Sequence, residues 1–452
     1  MKKTLLTTLA LVLALTARAG GILTNTNYHI GFDRMMARGT TFDIDATFSN
    51  PAGLVWTHEG WQVSFNWQRP HQDRDIETTF PLFATPDHRQ AFHGKASAPF
   101  VPGLFASWHK GRWAVGAMVG IVGSGGYVRY GTGLPMFTAP VMASLAAKGL
   151  TPDLYTIDAS LKGKQYVYGA QVVAAYRVTD HLSAAVGLRA NYYDGYYRGH
   201  VRVSPTEGAA AALGLPQQLV GLSLGTDQRG WGFNPILAAD YRLGGLTLAA
   251  RYEFRAKMSI PNKTHDLSVE VAGMTTEQAT ALMGDKVAAY RDGVKTRYDL
   301  PALFVLAAGY EFRPGLRATL EYHFFDDRHA HMQGERQKQL THGTREYLGG
   351  VEWDINKTFT VSAGAQRTDY GLSDEFQQNT SFSCDSWSVG FGGAVNITPK
   401  LRVNASYFWT MYDDYTKSTP AGSPGYAGTT LAGSDTYSRT NRVFGLGIDW
   451  RF

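Results

Sequence analysis

The chain has 452 residues, a formal net charge of +5 at pH 7 and a single cysteine, Cys384. One cysteine excludes an intrachain disulfide, and with it a small scaffold stapled by disulfides. A charge this modest does not favour nucleic acid as a partner. The 50 glycines and the 13% of aromatic residues together favour packed β structure with many turns.

The N-terminus has the three parts of a secretory signal peptide. Lys2 and Lys3 supply positive charge, an apolar stretch follows over residues 5–15, and Ala17-Arg18-Ala19 fits the small-x-small cleavage rule. The apolar stretch is too short for a membrane helix. We therefore predict export with removal of residues 1–19, which takes three positive charges from the chain and leaves it near +2.

After residue 20, apolar and polar residues alternate at period two in many segments. Residues 182–192, 316–324 and 401–412 show this pattern, and so does the C-terminal segment. One face of that last segment carries Phe444, Leu446, Ile448, Trp450 and Phe452. The period predicts β-strands. Alternation alone also fits a soluble sandwich with its apolar face turned inward.

The connections between these segments decide between the two folds. Short turns near residues 111, 180, 244, 314, 357 and 399 alternate with long connections, the pattern of an outer-membrane barrel. Aromatic residues near the segment ends fit the girdles of such a barrel. The predicted strands are 61–68, 98–109, 112–122, 165–178, 181–193, 229–242, 246–258, 298–312, 316–325, 345–355, 358–367, 386–397, 401–412 and 438–452.

We thus predict an all-β fold, a transmembrane antiparallel β-barrel of about fourteen strands over residues 61–452, with long extracellular loops. The expected location is the outer membrane of a Gram-negative cell, with membrane lipid as a partner. The terminal Phe452 is the kind of residue that barrel-assembly machinery recognises. Pro235 falls inside a predicted strand and removes a ladder donor, which predicts a bulge there or a misplaced strand start.

Residues 20–60 do not alternate like the rest of the chain. A barrel of this size has a water-filled lumen unless something fills it. We predict that these residues form a hatch, or plug, in the lumen. A position in the periplasm is the alternative.

Residues 43–54, DIDATFSNPAGL, resemble the hatch motif of the FadL-type outer-membrane transporters of long-chain fatty acids, in which the Asn50-Pro51-Ala52 part is specific. Residues 230–255 and 298–312 resemble strand pairs of the same family. The resemblance implies a fourteen-stranded barrel with a hatch, an extracellular groove and a gated inner pocket. It also implies an inward kink in the third strand that opens a lateral path. Gly116, Gly120 and Gly123 lie along or just beyond that strand, and glycine permits such a break.

A fatty acid needs an apolar slot with a cationic or hydrogen-bonding end. Arg189, Arg251 and Arg317, together with Arg402, lie on the inward faces of predicted strands and are candidates for the carboxylate end. The alternative is that they pair with inward acidic residues and only solvate the lumen. Those acids are Glu253, Glu321, Glu352 and Asp449.

Three long connections contain apolar material. Residues 136–150 and 275–292 have the pattern of short amphipathic helices, and residues 209–224 are apolar for an exposed loop. Exposed apolar surface marks binding sites. These loops either gather hydrophobic ligand at the cell surface or pack only on one another.

The predicted function is passive uptake of hydrophobic small molecules, with long-chain fatty acids first and aromatic hydrocarbons or other hydrophobic compounds as the alternative. No energy-coupling, cofactor or metal motif is visible, and we predict no enzyme activity. Gly221-x-Ser223-x-Gly225 matches the nucleophile elbow of hydrolases, which requires a strand-turn-helix setting. A lipid hydrolase and a surface adhesin therefore remain as further alternatives.

Overall fold

The computed structural model describes residues 24–98, 100–280 and 288–452, so the predicted signal peptide lies outside the described residues. None of the helices in these ranges is long and apolar enough to cross a membrane. The helices are α1 (Ile30–Met35), α2 (Ala46–Ser49), α3 (Pro135–Ala146) and α4 (Glu207–Leu213). The strands are β1 (Gly60–Thr79), β2 (Arg89–Ser97), β3 (Val101–Lys110), β4 (Trp113–Tyr130), β5 (Tyr155–Arg177), β6 (Leu182–Pro205), β7 (Val220–Leu243), β8 (Leu246–Glu253), β9 (Ser259–Val271), β10 (Lys295–Arg297), β11 (Leu303–Arg313), β12 (Leu316–Phe325), β13 (Arg345–Asp354), β14 (Phe359–Asp369), β15 (Ser386–Thr398), β16 (Leu401–Tyr412), β17 (Tyr415–Thr419) and β18 (Gly433–Arg451).

These strands build a closed barrel of fourteen antiparallel wall strands. Four wall strands are interrupted and appear as two successive segments each, namely β2/β3, β8/β9, β10/β11 and β16/β17. The first and last strands close the ring, since β1 pairs with β18 from Gln62 opposite Arg451 to Thr79 opposite Ser434. The predicted fold class and strand number are confirmed.

The two faces of the wall have opposite character. Outward side chains such as Phe65, Val186 and Leu320 are large, apolar and exposed, whereas the inward Ser64, Asn66 and their counterparts are polar and buried. On β6 the outward apolar face runs over residues 182–192, about the length that a tilted strand needs to cross a bilayer. The apolar band therefore faces lipid, and the polar faces line the interior.

The strands extend further on the loop side than the sequence pattern predicted. β5, β6 and β7 include residues that the sequence pattern predicts to be loops. For example, Tyr155 of β5 pairs with Pro205 of β6. On these extensions the polar residues face outward and the apolar residues face inward, because beyond the lipid band the outward face meets water. On β1 the outward Asp75 and Glu77 flank the inward, buried Ile76.

The bulge predicted at Pro235 is wrong, because β7 keeps an unbroken register with β6 through this residue. The alternative, a misplaced strand start, is correct: β7 begins at Val220 rather than at 229. Pro235 lies where the partner on the other side, β8/β9, is interrupted over residues 254–258. At that point β7 has no regular strand pairing on this side, so a residue without an N–H is tolerated.

The N-terminal residues pack inside the barrel. α1 contacts the inner faces of β13–β16, and a 3₁₀ turn, Pro51–Trp56, contacts those of β4–β7. The approach to β13–β15 is so close that a Cβ at Gly350, Gly364 or Gly390 would collide with the backbone of residues 33–35. Glycine is required on that part of the wall because the helix backbone touches it.

An apolar cluster covers the loop end of the barrel. α3 packs there with the extended ends of the strands, and the predicted helix at 136–150 corresponds to it. Of the predicted helix at 275–292, residues 281–287 lie outside the described residues. Cys384 is buried in this cluster, and burial raises the pKa of its thiol to about 11, so the thiol stays protonated and unreactive.

A charge placed on the outward face of the lipid band tests the orientation of the wall. Val186, in the middle of that band and 60% exposed, faces lipid. Val186→Arg should lower the free energy of unfolding in lipid vesicles by about 2–4 kcal/mol. Urea titration measures this. Thr156→Arg, on the water-exposed extension of β5, is the control and should change it by less than about 0.5 kcal/mol. Equal effects at both positions would contradict a lipid-facing wall.

Candidate transport path

The wall has a seam without ladder hydrogen bonds between β3 and β4. β4 pairs with β3 up to Val119 and with β2 again from Val128. Among the described residues, the ladder between β4 and the β2/β3 strand is therefore interrupted between Val119 and Val128. The opposite strand is itself interrupted here, between Ser97 and Val101.

β4 is irregular at the same level. Two register shifts against β5 fall at Ile121/Gly123 and at Ser124/Gly126. Each leaves an extra residue on β4, so the strand bends away from a straight course. The local geometry separates β4 from β3 while its pairing with β5 continues.

Backbone groups of the bent part of β4 are bonded from inside the lumen. The amide N–H of Asn25 donates to the carbonyl of Val122 at 3.1 Å, and the Asn25 side chain donates to the carbonyl of Ile121 at 3.1 Å. Thr24 forms a β-bridge with Gly123. Residues 24–28 thus take the place of the missing neighbour strand, which is required because unpaired carbonyls at this depth are costly.

A cavity of about 200 Å³ lies behind the seam. Its lining is mixed, and includes the carboxylate of Glu346, polar residues 24–27 and the apolar Phe408 and Val443, but two groups stand out. Apolar side chains lie beside the seam: Ala98, Val101, Pro102 and Ile121. Hydrogen-bonding side chains lie on the opposite wall: Gln366, Thr368, Ser386, Ser388 and Thr410. The cavity therefore suits a molecule that is apolar at one end and polar at the other.

The three predicted kink glycines have different surroundings. Gly116 pairs regularly with both neighbours, and a Cβ there would press on Thr47 and Leu54 of the N-terminal segment. A Cβ at Gly120 would make only ordinary contacts. Of the three, Gly123 alone lies at a register shift.

The predicted hatch motif is anchored to β6 and β7. The Asn50 side-chain amide donates to Asp240 Oδ2 at 2.8 Å, and Ser183 Oγ donates to the carbonyl of Ala52 at 2.8 Å. Pro51 begins the 3₁₀ turn. The motif thus fixes the end of the N-terminal segment to one side of the wall.

The predicted arginines are paired with carboxylates. Arg189 forms an ion pair with Glu253, and Arg251 Nε lies 3.6 Å from the same carboxylate. Arg251 also donates to the carbonyl of Phe48. Arg317 pairs with Glu352 and, at 2.9 Å, with Asp354. Of the two alternatives drawn from the sequence, ligand binding or pairing with inward acids, these contacts match the pairing with acids.

A second pair of arginines was missed by the sequence reasoning. Arg74 of β1 and Arg439 of β18 face each other directly across the two strands, on the inward face above the lipid band. Arg74 is 9% exposed and its Nε has no hydrogen-bond partner. Within the described chain, neither guanidinium pairs with a carboxylate. The alternation of inward and outward residues along β1 and β18 places both side chains on the inner face, so the sequence could have revealed the pair.

The surroundings of this pair are aromatic. The Arg439 guanidinium lies 4.7 Å from the centre of the Tyr412 ring, and Tyr370 and Tyr412 line the cavity beside it. Like charges directly opposite each other on neighbouring strands repel, and buried charges without counter-charge are costly. An anion between the two guanidiniums would offset both costs.

The apolar loops meet at the outer end of the barrel. Residues of α3, the connection after α4 and residues 271–274 surround an apolar pocket of about 150 Å³, with Leu145, Leu215 and Met274 in its lining. Most of the remaining apolar loop surface packs on itself in the apolar cluster.

The nucleophile-elbow match does not have the setting of a hydrolase. Ser223 lies within the regular strand β7, and its hydroxyl contacts Asp266 and Ser268 at 2.7 Å. His200 lies opposite it, but the His200 ring nitrogens contact Asp158 and Ser160. The nucleophile–base hydrogen bond is therefore not formed among the described residues.

A closed barrel with a lipid-facing band, an occupied lumen and a side seam defines an integral membrane β-barrel. Solved structures with the same fold include a FadL homologue of Pseudomonas aeruginosa, with a TM-score of 0.66 and 15% identity over 95% of this chain and 99% of that one. The Pseudomonas putida toluene transporter TodX has a TM-score of 0.55 and 14% identity, over 95% and 100%. The CymD monoaromatic hydrocarbon channel has a TM-score of 0.54 and 14% identity, over 95% and 99%.

No family model and no curated protein sequence matches the chain. The fold of this chain is the FadL-type barrel fold, which confirms the predicted family resemblance at the level of the fold.

Glu352 joins the N-terminal segment to the wall. Fully buried on β13, it pairs with Arg34, with Arg38 at 3.4 Å and with Arg317. Glu352→Gln would leave three guanidiniums without their shared counter-charge, so the free energy of unfolding should fall by about 3–5 kcal/mol. Urea titration in vesicles measures this, and ion conductance of the protein in planar bilayers should rise.

Glu77→Gln is the matched control for this change. Glu77 pairs with Arg89 at the surface, where an ion pair contributes less than about 1 kcal/mol. If Glu352→Gln were as stable and as poorly conducting as the control variant, the anchoring role of Glu352 would be rejected.

Proposed function

We propose that this protein is a passive channel of the Gram-negative outer membrane for hydrophobic small molecules, with long-chain fatty acids as the leading ligand class. The observation that carries this proposal is the Arg74–Arg439 pair beside a cavity that is apolar on one side and polar on the other. A neutral hydrocarbon offers no counter-charge to the two guanidiniums. A fatty acid offers a carboxylate and an apolar tail together.

The route begins at the outer end. The apolar pocket between the loops collects the ligand from outside, because apolar surface there gains from contact with an alkyl chain. The carboxylate then pairs with Arg74 and Arg439, and the tail lies along the apolar side of the cavity. Residues 24–59 act as the hatch that stops the ligand from passing straight through the lumen.

The exit is the seam between β3 and β4. It opens the apolar side of the cavity towards the lipid-facing surface of the wall, through the residues between the two segments of the interrupted strand. An apolar molecule leaves by this path without crossing the polar interior. The movement follows the ligand's concentration gradient.

The second candidate is uptake of aromatic hydrocarbons. It is favoured by the fold shared with a toluene transporter and a monoaromatic hydrocarbon channel. Uptake of labelled oleate and of labelled toluene by cells with and without the gene distinguishes the two. Loss of toluene uptake with unchanged oleate uptake would replace the leading proposal by this one.

The arginine pair can be tested by binding. Arg74→Gln and Arg439→Gln should each weaken oleate binding to the purified protein about tenfold, because each removes a charge-assisted hydrogen bond. Toluene binding should not change. Fluorescence titration in detergent measures both. Arg198→Gln, in an exposed ion pair with Asp227, is the control.

The same titration examines the arginines predicted from sequence. In the structure Arg189, Arg251 and Arg317 balance acids, so their alanine variants should lose stability rather than ligand affinity. If they weaken oleate binding in a folded barrel while Arg74→Gln and Arg439→Gln do not, the carboxylate end lies with them.

The side exit can be tested by blocking it. Ala98 lies at the seam and lines the cavity, so Ala98→Trp should slow oleate uptake several-fold while binding to the purified protein stays the same. Ala91→Trp, on the outward exposed face of β2, is the matched control. Normal uptake with Ala98→Trp would argue against lateral release.

A further inference from the structure

A second group of arginines surrounds a cavity at the opposite, short-turn end of the barrel. This vestibule has a volume of about 490 Å³ and is bounded by the turns at 244–245, 314–315 and 356–357 and by residues 40–43 of the N-terminal segment. Short turns mark the periplasmic end of such a barrel. The vestibule therefore faces the periplasm beneath the N-terminal segment.

The lining of the vestibule carries more cations than carboxylates. Asp43, Glu311 and Asp354 are its only carboxylates among the described lining residues. Its cations are Arg38, Arg242, Arg317, Lys357, Arg402 and Arg451. Arg38 and Arg317 also pair with Asp45 and Glu352 behind the lining, so the surplus lies with the other four cations. It gives the vestibule a positive potential, which a concave site concentrates.

Three of these guanidiniums share one carboxylate. Arg38 lies 3.0 Å from Asp43 and already has Asp45 at 2.7 Å as a second partner. Arg451 lies 3.5 Å and Arg402 lies 3.9 Å from the same Asp43 oxygen, Oδ1. Arg38 binds Oδ2, and both distances to Oδ1 are longer than an ordinary hydrogen bond, so Asp43 meets the donors of Arg402 and Arg451 poorly.

Arg402 shows the deficit most clearly. Its side chain is only 11% exposed, and its Nε and Nη2 are buried and have no hydrogen-bond partner among the residues that the structure describes. The residue opposite it on β18, Asp449, is bonded instead to Ser64 and Asn404. A guanidinium that presents two free donors on one edge has the geometry that binds an oxyanion through two parallel hydrogen bonds.

We propose that the vestibule is a binding site for a small oxyanion, a carboxylate or a phosphate, held by Arg402 and Arg451 and reached from the periplasmic end. An oxyanion would offset both the unmet donors of Arg402 and the surplus charge. The site is separate from Arg74 and Arg439, which lie above the lipid band, so it does not depend on the proposed transport of fatty acids.

The test uses the full mature protein in detergent micelles with inorganic phosphate as the probe. The variant Arg74→Gln/Arg439→Gln serves as the background, so that phosphate cannot bind at the outer arginine pair. Isothermal calorimetry should show one phosphate bound per chain in this background. Adding Arg402→Gln or Arg451→Gln should weaken that binding at least about tenfold.

Arg198→Gln added to the same background is the matched control and should bind phosphate unchanged. Folding of each variant is checked by its melting temperature. Arg402→Gln removes a guanidinium that lacks partners, so the melting temperature without phosphate should stay the same or rise. Phosphate should raise the melting temperature of the background and not that of the Arg402→Gln variant.

The source of the oxyanion is resolved by competition with acetate and decanoate. Equal competition by acetate and phosphate indicates a free periplasmic anion. Binding of decanoate with no binding of acetate or phosphate indicates the head group of an amphipathic ligand, and still places an oxyanion at Arg402. No binding of any of the three anions, or binding that Arg402→Gln and Arg451→Gln leave unchanged, would overturn the proposal.

Discussion

The structure depends on the requirement that backbone groups at membrane depth find hydrogen-bond partners within the protein. Pairing of β1 with β18 meets that requirement by closing the ring, and thirteen further strand junctions repeat it around the wall. The seam between β3 and β4 is the informative exception. There the donors come from residues 24–28 inside the lumen, so the seam in the wall and the N-terminal segment are parts of one arrangement.

Ion pairs between arginines and carboxylates organise the interior of the closed barrel. In the middle of the lumen arginines and carboxylates are matched, and Glu352 with its three arginines joins the N-terminal segment to the wall. At the two ends the matching fails. Among the described residues, Arg74 and Arg439 form no ion pair with a carboxylate at the outer end, and Arg402 and Arg451 have only long contacts with Asp43 at the inner end. Matched pairs hold the structure together, and the unmatched arginines are the places at which we propose that anions bind.

Alternation predicted the fourteen strands because lipid and lumen impose opposite polarity on the two faces of every strand in the band. It failed above the band, where β1 places Asp75 outward and Ile76 inward, since water replaces lipid there. Pro235 was misjudged for a different reason. The cost of a missing N–H depends on whether a partner strand lies beside it, and the interruption of β8/β9 is not visible along β7.

The sequence by itself determined the class of fold, the number of strands and the segment that packs inside, because those follow from periods and turn spacing along one strand at a time. It also placed arginines on inward faces. Only the tertiary structure decided which arginines are neutralised. Arg189 of β6 meets Glu253 of β8, 64 residues along the chain, whereas Arg74 meets another arginine across the closure of the ring. Whether a buried charge is matched depends on residues that other strands bring beside it, and no local pattern records them.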